Sequence, residues 1–379
     1  MEATRKQEYS TEGALYLAFE LGQREWKLGF SVGLGQAPRE RSIDAGDLVA
    51  LGEELRRAQA KLGVPEGAAI LSCYEAGLDG FWLHRHLTAQ GITNVIVDSS
   101  SIEVDRRAKR AKTDRLDVRK LVTMLIRYHN GEAHVWRVVH VPSELAEDQR
   151  HLHRQLLSFK RDQRRYANRI YGVLASQGVH LKIGADFLER IAEAHQWNGE
   201  PLPEGLQARV HREYEALQSV TQQIQELQAA RTQQIRTATT AEMTQVRKLL
   251  ALRGIGENSA WLLVMEFFGW REFRNRRELG ALAGLTPMPY QSGNSYHEQG
   301  ISKAGNRHVR RMMIEIAWCW LRFQPDSALT QWYRERYAAG GKRMHRIGVV
   351  ALARKLLIAL WRFLEQGEVP TGAQLKPVA

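Results

Sequence analysis

The sequence predicts an α/β domain followed by all-α regions, and three observations carry that prediction. Residues 1–142 open with two adjacent strand patterns and continue with strands alternating with helices. Residues 143–247 place apolar side chains three, four or seven apart, the period of long amphipathic helices. Residues 248–366 are mostly helical in pattern and strongly basic, and 367–379 read as a flexible tail.

Ala14–Leu21 and Trp26–Gly33 predict two strands joined by a short polar turn, a hairpin. Residues 47–63 are helical in period, with Leu48, Leu51, Leu55 and Leu62 near one stripe. Ala68–Tyr74 is a short apolar strand, and Trp82–Gln90 a helix that Gly91 closes. Asn94–Asp98 is a strand and Thr113–Tyr128 a helix, with Thr113 suited to cap it. Ala133–Val141 completes the domain as a strand.

The second region repeats Leu145, Leu152, Leu156, Phe159, Tyr166, Ile170 and Leu174, then Val210, Tyr214, Leu217, Val220, Ile224 and Leu227. Two long helices reversing through the Gly/Pro-containing stretch 178–205 predict an antiparallel coiled-coil arm. Lys160, Arg161, Arg164 and Arg165 line its first helix and are candidate nucleic-acid contacts. The third region carries two glycine turns, Arg253-Gly-Ile-Gly256 and Gln291-Ser-Gly293.

Charge narrows the function. The formal net is +12, and residues 301–363 hold 13 Lys/Arg against 3 Asp/Glu. Residues 101–175 hold 17 against 9. Two basic blocks point to a polyanionic partner, because Lys and Arg displace the counterions condensed on phosphates. Solvated helix faces are the plainer reading of the same charge. No apolar run approaches the ~20 residues of a membrane span, and no signal-peptide pattern precedes the first strand. Cys73 and Cys319 are the only cysteines, which excludes a cysteine zinc site and fits a reducing cytoplasm.

Four acids are candidates for a metal site. Glu20 lies inside the first strand, where a carboxylate needs a partner or a cation. Glu75 follows the strand ending at Tyr74, at the strand end where α/β sheets place their sites. Asp114 and Asp117 are spaced i, i+3 at a helix start and so share a face. Oxygen donors without cysteine suit Mg²⁺. The alternatives are a helix dipole satisfied by Asp114 and Asp117, and a strand face that is wet at Glu20.

Cys73-Tyr-Glu-Ala-Gly77 and Arg110-Ala-Lys-Thr-Asp-Arg-Leu-Asp117 resemble the DEDD motifs of insertion-sequence transposases of the IS-one-ten family, of the IS-eleven-eleven-like kind. Leu252-Arg-Gly-Ile-Gly256, Ala283-Gly-Leu-Thr-Pro287, Gln291-Ser-Gly293 and Ile301-Ser-Lys-Ala-Gly-Asn-Arg307 resemble motifs of that family's C-terminal transposase domain. The resemblance spans nearly all of the chain outside the arm. It departs at Glu20, where the family usually has Asp.

The resemblance implies an RNase H-like, RuvC-like N-terminal domain and a catalytic set of Glu20, Glu75, Asp114, Asp117 and Ser292. Mg²⁺ would sit on the four acids, and Ser292 would attack a DNA phosphate to give a covalent phosphoserine. It also implies recombination of element ends with target DNA, guided by a structured non-coding bridge RNA. The working unit would be a homodimer or homotetramer in the bacterial cytoplasm, at the nucleoid and not on a membrane. Lys112, Arg115, Lys303, Arg307, Arg310 and Arg311 are further candidate nucleic-acid contacts. Gly254 and Gly256 fit a helix–hairpin–helix turn whose backbone N–H groups hold phosphate.

Plainer readings stand beside these. Ser292 in a Ser-Gly dipeptide is ordinary turn chemistry, and Ser295 and Ser302 are rivals for the nucleophile. Gly254-Ile-Gly256 equally serves as a helix-joining loop. Trp318, Trp320, Trp332 and Trp361 fit core packing better than base stacking. Two other functions fit the chain: a structure-specific nuclease using metal-activated water, and a non-catalytic nucleic-acid-binding relic.

Overall fold

The fold is described from a computed structural model covering residues 13–77, 80–102, 114–292 and 295–377. For 100, 114–117, 290–292 and 295–299 it describes the backbone alone. The chain forms two compact units, 1–141 and 142–379.

The first unit is a five-stranded sheet with helices on both faces. Its elements are β1 (Leu15–Leu21), β2 (Glu25–Ser31), β3 (Arg39–Asp44), α1 (Leu48–Leu62), β4 (Ile70–Glu75), α2 (Trp82–Ala89), β5 (Thr93–Val97) and α3 (Asp114–His129). The strand order is β3-β2-β1-β4-β5, antiparallel across β1, β2 and β3 and parallel from β1 through β4 to β5. β1 is central and buried on both faces, since successive side chains alternate across a strand. Leu15, Leu17 and Phe19 join the cluster containing Leu51 and Ala58 of α1. Tyr16 and Ala18 join Leu121, Val122 and Leu125 of α3.

Two segments differ from the sequence expectation. β3 was not anticipated: Arg39-Glu-Arg-Ser-Ile-Asp44 has one apolar residue, because it is an edge strand that buries only Ile43. The strand expected at Ala133–Val141 is instead irregular. It meets β5 at a Val97–Val138 bridge, with Asp98 N donating to Arg137 O (2.9 Å) and Val139 N to Ile96 O (2.7 Å).

The second unit is largely helical. Its helices are α4 (Glu144–Ala175), α5 (Phe187–Ala192), α6 (Glu204–Thr237), α7 (Ala241–Ala251), α8 (Glu257–Leu263), α9 (Arg276–Leu282), α10 (Arg307–Phe323), α11 (Ala328–Tyr337) and α12 (Lys342–Gln366). α4 and α6 pack antiparallel: Gln163 donates to Thr221 (2.9 Å) and Arg169 to Glu213 (2.8 Å). Where the chain reverses, Ile170, Leu174, Phe187, Val210 and Tyr214 form their own core.

The larger core joins α7, α8, α10 and α12 around Trp261 and Trp320, both fully buried. Trp332 and Trp361 pack against it, whereas Trp318 is half exposed. The sequence pattern gave no sign of two features. One is a hairpin, β6 (Pro287–Ser292) and β7 (Ser295–Ile301), within the helical region. The other is the packed C-terminal stretch read as a loose tail. There Leu375 bridges Leu252, Gln324 donates to Gln374 O (2.9 Å) and Lys376 N donates to Ala251 O (2.7 Å). No helix among the described residues is long and apolar enough to cross a membrane.

Candidate functional site

In the first unit the register brings the carboxylates together. β1 and β4 are parallel with Phe19 opposite Tyr74, so the next step sets Glu20 opposite Glu75 at the C-terminal ends of both strands. Adjacent strands lie ~4.8 Å apart. Glu20 alternates with Tyr16 and Ala18, and Glu75 with Leu71 and Cys73, so both fall on the face that α3 covers.

α3 runs against β1. His129 stacks edge-on with Tyr16, Leu121 O accepts from Cys73 Sγ (3.8 Å), and Val118 closes on Gly29, the β2 partner of Ala18. That direction carries the first turn of α3, Asp114–Asp117, to the sheet edge where Glu20 and Glu75 stand. The close approach also explains Gly29, because any Cβ there would collide with Val118. Asp98 follows β5 at the same edge, and sequence reasoning passed it over.

Glu20 is half-buried, and Lys27 is its cross-strand neighbour on β2. Glu75 is also half-buried. Lys112 lies outside the described residues, and for Asp114, Arg115 and Asp117 the backbone alone is described. No group of three or more His, Cys, Asp or Glu forms a metal cage among the described residues. The donors that the register gathers are all carboxylate oxygens, a set that fits a hard cation such as Mg²⁺.

In the second unit the motifs build one structure, the anchored base of the β6–β7 hairpin. Ser302 N donates to Thr286 O (2.9 Å), Lys303 N to Gly284 O (3.2 Å) and Asn306 N to Leu282 O (2.8 Å). Gly284 (φ +68°) and Gly305 (φ +94°) interlock, since a Cβ on one would strike Ala304 O and on the other Leu282 O. Ser292 ends β6 directly opposite Ser295, so the backbone places two of the three candidate serines at the hairpin's tip. Ser302 sits at its base, with its hydroxyl buried and without a partner.

The candidate cations divide. Arg310 donates to Lys303 O (2.7 Å), Arg307 is exposed, and Arg311 pairs with Glu315 (3.0 Å). On α4, Arg161, Arg164 and Arg165 are exposed, with Arg165 paired to Asp162 (3.3 Å). Lys160 is half-buried, and burial followed by the charge of Arg231 lowers its pKa. In the glycine turn between α7 and α8, Gly254 (φ +86°) packs on Phe323 of α10. The N–H groups of Gly254 and Gly256 have no acceptor among the described residues.

Sequence reasoning missed Glu266. It is 1% exposed, on a single π-helical turn (Val264–Phe268) that continues α8. Such turns recur at functional sites. Arg154 of α4 grips it with two bonds (2.7 and 3.0 Å), and Asn306 Nδ2 donates a third (3.1 Å). Asn306 Oδ1 meanwhile caps α10 through His308 N and Val309 N. Burial alone would raise the Glu266 pKa, but Arg154, then Asn306 and Arg150, hold it below the usual carboxylate range. The signal was available, a lone acid in Leu262-Leu-Val-Met-Glu-Phe-Phe268. It is the same signal that singled out Glu20.

The family model for the transposase IS116/IS110/IS902 family matches residues 246–333, which contain the hairpin and its anchoring motifs. A putative transposase of Sinorhizobium fredii, y4rJ, is 38% identical over 96% of this chain and 95% of its own length. The chain belongs to the IS110/IS116 family of transposases. The transposase for insertion sequence element IS1328 of Yersinia enterocolitica is 28% identical over 61% of the chain and 68% of that protein. A probable family 20 transposase of Pseudomonas aeruginosa is 29% identical over 40% of the chain and 45% of that protein. The protein is therefore a DNA transposase of an insertion sequence, an enzyme that cuts and rejoins DNA.

Proposed function

We propose that this transposase breaks DNA by transesterification onto Ser292, with Glu20, Glu75, Asp114 and Asp117 holding Mg²⁺. The observation that carries the reading is the convergence of β1, β4 and the start of α3 at one sheet edge. The strand order β3-β2-β1-β4-β5 supports an RNase H-like, RuvC-like domain. When bound, Mg²⁺ supplies positive charge to the non-bridging phosphate oxygens.

In the step itself the Ser292 hydroxyl oxygen attacks phosphorus and loses its proton to a carboxylate or water. One phosphodiester P–O bond breaks as the Oγ–P bond forms, and the departing deoxyribose oxygen takes up a proton. The reverse attack by a hydroxyl of the recombining strand frees the serine and seals the DNA. Bond energy is conserved, so no external energy source is needed. Lys303 and Arg310 at the hairpin's base, five strand residues from Ser292, are suited to hold phosphates of the DNA backbone beyond the one attacked. The open N–H groups of Gly254 and Gly256 suit backbone phosphate.

The basic stretches of α4 and α10 suit both the DNA and a structured bridge RNA that selects it. The α4–α6 arm, as a coiled coil, suits assembly into a homodimer or homotetramer. Covalent trapping tests the chemistry. Protein, Mg²⁺, the element's non-coding RNA and labelled junction DNA are mixed and run on a denaturing protein gel. A labelled protein band absent from Ser292→Ala and from Asp117→Ala supports the reading. Nicked DNA without a band, unchanged by Ser292→Ala, overturns it in favour of a nuclease using metal-activated water.

A further inference from the structure

A groove of about 1110 Å³ opens on the second unit between α12, α11, the start of α9 and the base of the β6–β7 hairpin. Its floor is apolar, with Leu285, Ile301, Ile314, Val350 and Ile358. Eight Lys or Arg side chains line it, and no Asp or Glu does so among the described residues. Four come from α12: Arg343, Arg346 and Arg354 fall on one helical face, and Lys355 flanks it. Lys303 and Arg310 enter beside the hairpin, and Arg276 and Arg277 enter from α9.

The ion pairs of this unit use other residues, so none of the eight has a carboxylate partner among the described residues. Cations gathered around one groove repel one another, which favours the binding of an anion. Parts of the lining are also fixed in place. Arg310 is half-buried and tied to Lys303 O (2.7 Å). Arg354 lies against Gly280, where a Cβ would stand 3.2 Å from its Nε. Lys303 itself has φ 55°, the one positive-φ residue other than glycine among those described. L-residues avoid that conformation, and it gathers at ligand-binding positions.

The size argues for a polymer. The groove exceeds the ~300–1,000 Å³ of small-molecule pockets, and its charges come from four separate elements. Trp332 and Tyr337 add ring surface at its edge, with Lys355 Nζ 4.6 Å from the centre of the Trp332 ring. Aromatic rings beside a cationic track suit an unpaired nucleic-acid strand.

We propose that this groove is the track for the DNA strand on which Ser292 acts, gripping its sugar–phosphate backbone a few nucleotides from the attacked phosphate. The proposal rests on the reading of Ser292 given above. Pro289 of β6 lines the groove, and Ser292 follows three residues later on the same strand. At ~3.3 Å per residue that is about 10 Å.

The test measures equilibrium binding by full-length Ser292→Ala protein, so that no reaction intervenes. A fluorescein-labelled 20-nucleotide single strand of DNA, its duplex and an RNA of the same sequence are titrated by anisotropy across a salt series. Arg346→Gln with Arg354→Gln removes two groove charges, and Arg322→Gln with Arg362→Gln removes two charges outside the groove. Each lost phosphate contact on a single strand lowers the salt slope by ~0.7, so the groove pair lowers it by about 1.4 and weakens DNA binding about 25-fold at 0.1 M salt. Arg343→Gln with Lys355→Gln, both exposed, replaces the first pair if that variant melts early. DNA affinity and slope equal to the control pair overturn the groove, as does a loss confined to the RNA. Groove-dependent DNA binding by a wild-type protein that forms no covalent adduct supports the groove and overturns the serine reading instead.

Discussion

Replacing Glu266 by glutamine isolates one charge at the centre of the second unit. The carboxylate accepts from Arg154 at 2.7 and 3.0 Å and from Asn306 at 3.1 Å. Glutamine keeps the shape but offers one oxygen, and its NH₂ then faces the Arg154 guanidinium, donor against donor. A hydrogen bond to a charged group is worth ~1.5–3 kcal/mol, and breaking a fully buried ion pair costs ~3–5 kcal/mol. Arg154 is 43% exposed, so water recovers part of the loss. A destabilisation of about 2–4 kcal/mol follows, or roughly 5–10 °C in Tm for a unit of this size. Thermal unfolding at pH 7 reads it, and hydrogen exchange reads the accompanying loss of protection at the start of α10. A Tm within about 1 °C of wild type would refute the claim that Glu266 ties α4, the π turn and Asn306 together.

Other outcomes follow from the same geometry. His153 is buried with neither ring nitrogen partnered, and burial followed by the charge of Arg231 lowers its pKa to about 4. Stability is then full above ~6.5 and falls as pH drops from there to about 4, because the unfolded chain binds a proton the folded one refuses. The loss is on the order of 3 kcal/mol, and His153→Phe should flatten that part of a denaturation-against-pH curve. Gly305→Ala forces a Cβ into Leu282 O at positive φ, so it should cost more than ~1–3 kcal/mol and abolish covalent DNA capture. Removing Mg²⁺ with EDTA should abolish capture reversibly, with metal add-back restoring wild type but not Asp117→Asn; capture that persists without metal would sink the carboxylate role.

Periodicity made β1, β2, β4 and the long helices legible, because each buries a continuous apolar face. It failed where the burial is one-sided or interrupted. β3 is a charged edge strand with only Ile43 inside. β6 starts Pro-Met-Pro, and its hairpin is anchored by backbone bonds from Ser302 and Lys303 to Thr286 and Gly284, which no side-chain pattern records. The acids were found from strand ends and helix spacing, and the register then set Glu20 beside Glu75. Glu266 escaped because its partners, Arg154 and Asn306, lie 112 and 40 residues away in sequence. The eight-cation groove escaped for the same reason, since four elements contribute to it. Only Arg343, Arg346 and Arg354 of α12 form a readable stripe.

The most direct test of the central claim is to locate the DNA on the protein. Covalent complexes formed with Mg²⁺ are digested with nuclease and trypsin and analysed by fragmentation mass spectrometry. One tryptic peptide, Glu278–Lys303, contains Ser292, Ser295 and Ser302 together, so its fragments rank the three directly. A nucleotide phosphate on Ser292 is the predicted result. The same mass on Ser295 or Ser302, or an unmodified peptide from actively recombining protein, would contradict it.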